Sequence, residues 1–189
     1  MKKTISRKEK VLKTALQMVA SGGFQGAPIA ELASKSKVAV GTIYHHFANK
    51  DEMVKAMYLY CKEEMAAAIA PAFEGKNNTA KKFDLMWSAV MNHATSNAVQ
   101  ISFMDQFSSS PLINASVSKD ASKFDAASVK FFADGIKSKD LKKSEPELLH
   151  EFFMTNAIAA ARKASKGKKK GADKEVAALK EMTWSGLKK

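Results

Sequence analysis

The seven residues Gly41-Thr42-Ile43-Tyr44-His45-His46-Phe47 crowd several hydrogen-bonding side chains into two turns of chain. Thr42 offers a hydroxyl and a methyl, Tyr44 a phenol and His45 a ring N–H. Such groups suit phosphate oxygens and base edges, and the Thr42 methyl suits a thymine. Gly41 has no side chain, so a helix through it can press close to a groove. Lys50 opens a following helix, where exposed N–H groups and the helix dipole already favour a phosphate. The adjacent histidines point about 100° apart on a helix of 3.6 residues per turn, so they do not chelate through one face, and no metal is expected.

These side chains need a scaffold, and the chain reads as helices throughout, an all-α fold of about nine. Proline occurs only at 28, 71, 111 and 146, each near an expected boundary. The first helix runs from about Ser6 to Ser21, with Val11, Leu12, Ala15, Leu16 and Val19 as its apolar stripe. Gly22-Gly23 end it, and Phe24 folds back onto the stripe. Pro28 suits the first turn of a second helix that turns Ile29, Leu32 and Ala33 inward. Lys35 to Lys37 make a turn; Val38, Ile43 and Phe47 then pack a third, short helix. A longer helix covers about 51–71, with further helices at about 79–97, 99–109, 112–138, 145–165 and 173–187. Ser144 to Glu147 reads as a capping box, Asp173 as a cap, and Arg162 to Gly171 as a solvated lysine-rich connection.

Charge agrees with the candidate contact surface. Residues 1–50 carry nine Lys and Arg against two Glu, which is +7 of a formal +12. Phosphate neutralisation calls for that bias. Cys61 is the only cysteine, so no internal disulfide and no cysteine zinc site is expected. No apolar run approaches the roughly 20 residues that span a bilayer. The opening Met-Lys-Lys-Thr-Ile-Ser leads into Arg7-Lys8-Glu9-Lys10 rather than an apolar core. The expectation is a cytoplasmic chain with no membrane partner.

Residues 7–54 resemble the helix-turn-helix domain of TetR/AcrR transcriptional regulators. The resemblance lies in the first-helix pattern, the Gly23-Phe24 corner, Ile29-x-x-Leu32-Ala33, the Gly41-to-Phe47 core and the Lys50-Asp51 pair. It implies a DNA-binding domain over 1–50 and a helical ligand-binding and dimerisation domain over 51–189. It also implies that Val40 and Thr42 face the groove and read bases. The DNA-contact set is then Lys37, Val40, Gly41, Thr42, Tyr44, His45 and Lys50. Three positions depart from the family. Ala39 replaces a capping Ser or Thr, Lys37 replaces the turn glycine, and Ala27-Pro28 replace hydroxyl residues. A lost cap costs roughly 0.5–2 kcal/mol and a left-handed lysine roughly 1–2 kcal/mol relative to glycine.

In the resemblance, the last two helices form the dimer. Leu149, Phe152 and Ala160 on one, with Leu179, Met182 and Leu187 on the other, are the interface candidates; alternatively these faces serve the protomer's own core. The middle of the chain is rich in aromatics and methionine. Trp87, Met91, Phe103, Met104, Phe107, Phe131 and Phe153 are candidates to line a pocket for a largely apolar small molecule. No catalytic grouping, phosphate-binding glycine loop or metal-ligand spacing is present, and no cofactor is expected. The reading is a ligand-responsive repressor that binds a palindromic operator as a homodimer. The rival is a small-molecule-binding or structural helical dimer whose DNA reading has decayed.

Overall fold

The computed structural model describes residues 5–20, 28–165 and 172–189. Among them the helices are α1 (Arg7–Ala20), α2 (Ile29–Ser36), α3 (Val40–His46), α4 (Lys50–Ile69), α5 (Thr79–Ser96), α6 (Ala98–Phe107), α7 (Ala115–Lys137), α8 (Pro146–Ser165) and α9 (Ala172–Leu187). A 3-10 turn, Ala70–Phe73, follows α4. The helix end expected at Gly22-Gly23, the Phe24 fold-back and the departure at Ala27 lie outside the described residues.

The helix starts have local causes. Ser6 Oγ accepts the Glu9 N–H at 3.1 Å and caps α1. Asn49 Oδ1 accepts the Glu52 N–H at 2.9 Å and caps α4. Asn78 Oδ1 accepts the Lys81 N–H at 2.8 Å and caps α5. Pro28 is the residue before α2 rather than in its first turn; its carbonyl receives the Glu31 N–H at 3.0 Å. The Ser-x-x-Glu box expected at Ser144 gives way to Pro146, whose ring fixes φ for a first helical residue. The Glu145 carbonyl accordingly receives the Leu148 N–H at 3.1 Å. Asp173 stands inside the first turn of α9, not before it. The connection expected from Arg162 starts later on its described side, because α8 continues through Ser165; residues 166–171 are outside the described set.

Packing sorts the chain into two units, Met1–Lys62 with Val99–Ala121, and Glu63–Ala98 with Ser122–Lys189. All three tyrosines (Tyr44, Tyr58, Tyr60) fall in the first and both tryptophans (Trp87, Trp184) in the second. In the first unit one apolar cluster joins Val11 and Leu16 of α1, Leu32 of α2, Ile43 of α3, Met57 and Cys61 of α4, and Phe103 and Phe107 of α6. The two α6 rings stack with centroids 4.6 Å apart. Packing therefore does not break at residue 50. Three short helices bury too little apolar surface alone, and α4 and α6 supply the rest.

The second unit is built on aromatic contacts among α5, α7, α8 and α9. Phe83 meets Trp184 at 4.8 Å and Phe153 at 5.5 Å, and Phe153 meets Trp87 at 5.9 Å and Phe132 at 6.0 Å. Ala157, Ala160 and Ala161 are buried where α8 runs against α5 and α9. The segment after α7 ties down the C-terminal residues. The Lys142 N–H donates to the Leu187 carbonyl at 2.8 Å, and the Lys189 N–H to the Asp140 carbonyl at 3.1 Å. The Asp140 carboxylate accepts the hydroxyls of Thr79 at 2.6 Å and Ser138 at 2.8 Å. These bonds, Thr79 first, hold its carboxyl below the usual aspartate range.

Phe103 separates a core role from a pocket role. Phe103→Ala should lower the stability of the first unit by roughly 3–5 kcal/mol, the cost of deleting a buried phenyl ring. Urea unfolding followed by circular dichroism measures it. An unchanged midpoint would return Phe103 to the list of pocket residues.

Candidate nucleic-acid interface

The approach to α3 is set by a turn that closes in spite of its sequence. Lys37 adopts the left-handed conformation, φ 54° and ψ 39°, after α2. Its N–H donates to the Ser34 carbonyl at 3.3 Å, and the Val38 N–H donates to the Ala33 carbonyl at 3.2 Å. That pair is the two-bond helix ending usually completed by glycine. Val38 is buried beneath it. Ala39 precedes α3 with no side-chain cap, as its type requires.

One face of α3 is fixed and the other is bare. Ile43 is fully buried and Phe47 nearly so. Val40 and Tyr44, one turn apart, are 40% and 52% exposed. Gly41 and His45 are also exposed, and Thr42 is half-buried. A Cβ built at Gly41 meets nothing within 4 Å, and its φ is not left-handed. Neither intramolecular packing nor backbone conformation therefore requires glycine there. Close approach of something outside the protomer would.

Cations flank this face. Lys37 is exposed in the turn and Lys50 is half-buried at the start of α4. Asp51 and Glu52 occupy the first turn of α4, and Asn49 takes the Glu52 N–H. Asn49 was missed in the sequence although Asn49-x-x-Glu52 has the spacing of a cap. The His45 and His46 rings lie 5.5 Å apart, edge to face. Among the described residues no three His, Cys, Asp or Glu side chains gather into a metal site.

The seven pocket candidates do not form one group. Phe103 and Phe107 are core of the first unit, with Met104 packed against them. Trp87, Met91, Phe131 and Phe153 belong to the second unit, where Trp87 and Phe153 are engaged ring to ring. A cleft of 490 Å³ in that unit includes Phe131 alone of the seven, and its other lining is largely polar. The interface candidates also divide. Leu149, Ala160 and Leu187 are buried inside the protomer, as the alternative of a core role has it. Phe152 and Met182 are 41% and 68% exposed, and Leu179 is half-buried. Leu148, next to Leu149, is also exposed. Among the described residues no helix is long and apolar enough to cross a membrane.

Residues 11–57 match the family model for bacterial regulatory proteins of the tetR family, and residues 79–188 match that for the tetracyclin repressor-like C-terminal domain. The nicotine-responsive transcriptional repressor HdnoR of Paenarthrobacter nicotinovorans is 20% identical over 93 residues, 47% of this chain and 48% of that protein. The regulator UidR of Escherichia coli K12 is 27% identical over 66 residues, 35% of this chain and 34% of that protein. The chain thus spans about half or less of the curated relatives it matches. A tetR family transcription regulator of Shewanella sp. PV-4 superposes with a TM-score of 0.83 at 26% identity, covering 97% of this chain and 99% of that one. A TetR-family transcriptional regulator of Haemophilus influenzae shares the fold, with a TM-score of 0.80 at 22% identity and 97% coverage of each chain.

Three substitutions test the two faces of α3. Gly41→Ala should leave melting unchanged or raise stability by up to about 1 kcal/mol, while duplex DNA affinity falls about tenfold or more. Tyr44→Ala should weaken DNA binding by about 1–3 kcal/mol with little change in melting. Phe47→Ala should destabilise the first unit by roughly 3–5 kcal/mol. Thermal melting and fluorescence anisotropy on a labelled duplex measure both properties. A Gly41→Ala protein with full affinity would remove the close-approach role.

Proposed function

The chain belongs to the TetR family of bacterial transcriptional regulators, and from that premise we propose that it is a ligand-responsive repressor that occupies a palindromic operator as a homodimer. The observation that carries this reading is the bare face of α3. Val40, Gly41, Tyr44 and His45 are exposed together while Ile43 and Phe47 anchor the helix from behind. In this reading Val40 and Thr42 meet base edges, Tyr44 and His45 meet phosphates, and Lys37 and Lys50 neutralise the backbone on either side. Phosphate contacts set register, and base-edge contacts set sequence preference.

A single helix-turn-helix reads one half-site, and two half-sites one helical turn or its multiples apart need two copies. Exposed Leu148 and Phe152 on α8 and Met182 on α9 support a two-fold pairing of these helices. An effector bound by the second unit would act by stabilising one dimer spacing over another. The rival, a dimer with decayed DNA reading, draws support from uncapped Ala39. Lys37 supports it less, because the turn closes with lysine in place.

Operator affinity should fall steeply with salt, with a log–log slope of several units if several phosphates are neutralised. Selection from random duplexes followed by salt titration tests this. A flat salt response, or no preference for any duplex, favours the decayed-domain rival.

Assembly needs a surface substitution. A carboxylate at Ala160 would enter the protomer's own core and confuse unfolding with dissociation. Met182→Glu, at an exposed site, should keep the melting temperature of the protomer and weaken the dimer by several kcal/mol, as an unpaired charge is buried twice. Sedimentation across a concentration series decides it. A monomeric wild type would refute the dimer and the palindromic operator together.

A further inference from the structure

The described cleft of the second unit lies among the 3-10 turn, the start of α5 and the C-terminal half of α7. Its 490 Å³ falls within the roughly 300–1,000 Å³ of small-molecule sites. Phe73 and Phe131 give it an apolar wall, with ring centroids 5.9 Å apart and planes inclined at 33°.

The charges in the cleft are unequal in their satisfaction. Asp134 is paired with Lys130 at 2.7 Å. The Asp140 carboxylate is held by the hydroxyls of Thr79 and Ser138. Both anions therefore have partners. Lys82 lines the same cleft, half-buried, and no carboxylate pairs with it among the described residues. The Asn78 side-chain oxygen is spent on the α5 cap, which leaves its amide N–H groups as neutral donors on that side.

We propose that this cleft binds a small monocarboxylate with an apolar or aromatic body, its carboxylate on Lys82 and its body against Phe73 and Phe131. A phosphate dianion fits less well, because Asp134 and Asp140 stand in the same lining and repel the second charge. A neutral apolar molecule would leave the Lys82 charge covered and unpaired, which is costly.

The cleft also reaches the end of α9 through hydrogen bonds. Thr79 and Ser138 both hold Asp140, whose carbonyl receives the Lys189 N–H just beyond α9. Lys142, two residues on, is bonded to the last residue of α9. A ligand that shifts Thr79 or Ser138 pulls on the end of α9. This coupling rests on the regulator reading above; the binding site does not.

The test uses the full chain and a panel of probes: benzoate, phenylacetate and octanoate, with phenylacetamide and inorganic phosphate as controls. Isothermal titration should show saturable binding of at least one carboxylate, with one site per protomer. Phenylacetamide and phosphate should bind about tenfold or more weakly, the worth of one charge-assisted hydrogen bond. Lys82→Met keeps the aliphatic stem on the surface and should lose the carboxylate by a similar factor. Lys82→Arg should retain most of the binding. No saturation by any carboxylate at millimolar concentration overturns the site, as does equal binding by Lys82→Met. Operator affinity is then measured with and without the best probe. Binding without any change in operator affinity overturns the coupling to α9. Operator binding that is intact while every carboxylate fails to bind overturns the site and leaves the regulator reading standing.

Discussion

A seven-residue helix has no stability of its own. Nucleating a helix is unfavourable, and isolated segments shorter than about 12–15 residues are marginal in water. For α3 the missing stability comes from Ile43 and Phe47, which enter the apolar cluster built by α1, α2, α4 and α6. Everything proposed for the outward face depends on this anchoring. Because two residues hold the helix from one side, the other side carries no structural duty. It can present Val40, Gly41, Tyr44 and His45 to a partner molecule. The cluster extends beyond the first three helices for the same reason. Their short apolar stripes do not close a core, and Phe103 and Phe107 complete it.

The second unit solves a different problem. Its interior sets interlocked rings among aliphatic side chains such as Ile69, Met86, Leu141 and Leu187. Phe83, Trp87, Phe132, Phe153 and Trp184 meet in edge-to-face and tilted pairs, geometries that suit the aromatic quadrupole. Alanines on α8 let the neighbouring helices approach. Such a core is closely packed, so a bound molecule has more room at its margin, among Phe73, Lys82 and Phe131, than among the interlocked rings.

Much of this was legible in the chain, and the exceptions have a common cause. The helical stretches follow from 3.6-residue periodicity and from where proline and glycine fall. The left-handed Lys37 follows from the place the family resemblance gives it in the turn, and the uncapped start of α3 from the bare side chain of Ala39. The inward roles of Ile43 and Phe47 follow from apolar spacing. Periodicity says that a face is buried, not against what. Phe103 and Phe107 looked like pocket residues because their partners lie more than forty positions earlier in the chain, in α1 to α4. Leu148 and Leu149 are chemically alike, and only the placement of α5 and α9 makes one exposed and the other buried. Lys82 and Asp140 gave no signal either, since their cleft assembles from α5, α7 and the segment after α7.

The partition of tyrosine and tryptophan between the units has an optical consequence. Light absorbed at the red edge of the indole band excites only the second unit, where Trp87 is buried and Trp184 half-buried. Tyrosine absorption belongs wholly to the first, and Tyr44 sits on the bare face of α3 itself. The unmodified chain therefore carries a reporter of the second unit to which the first contributes nothing. Solvent entry into the aromatic interior is seen by indole emission, with no label attached.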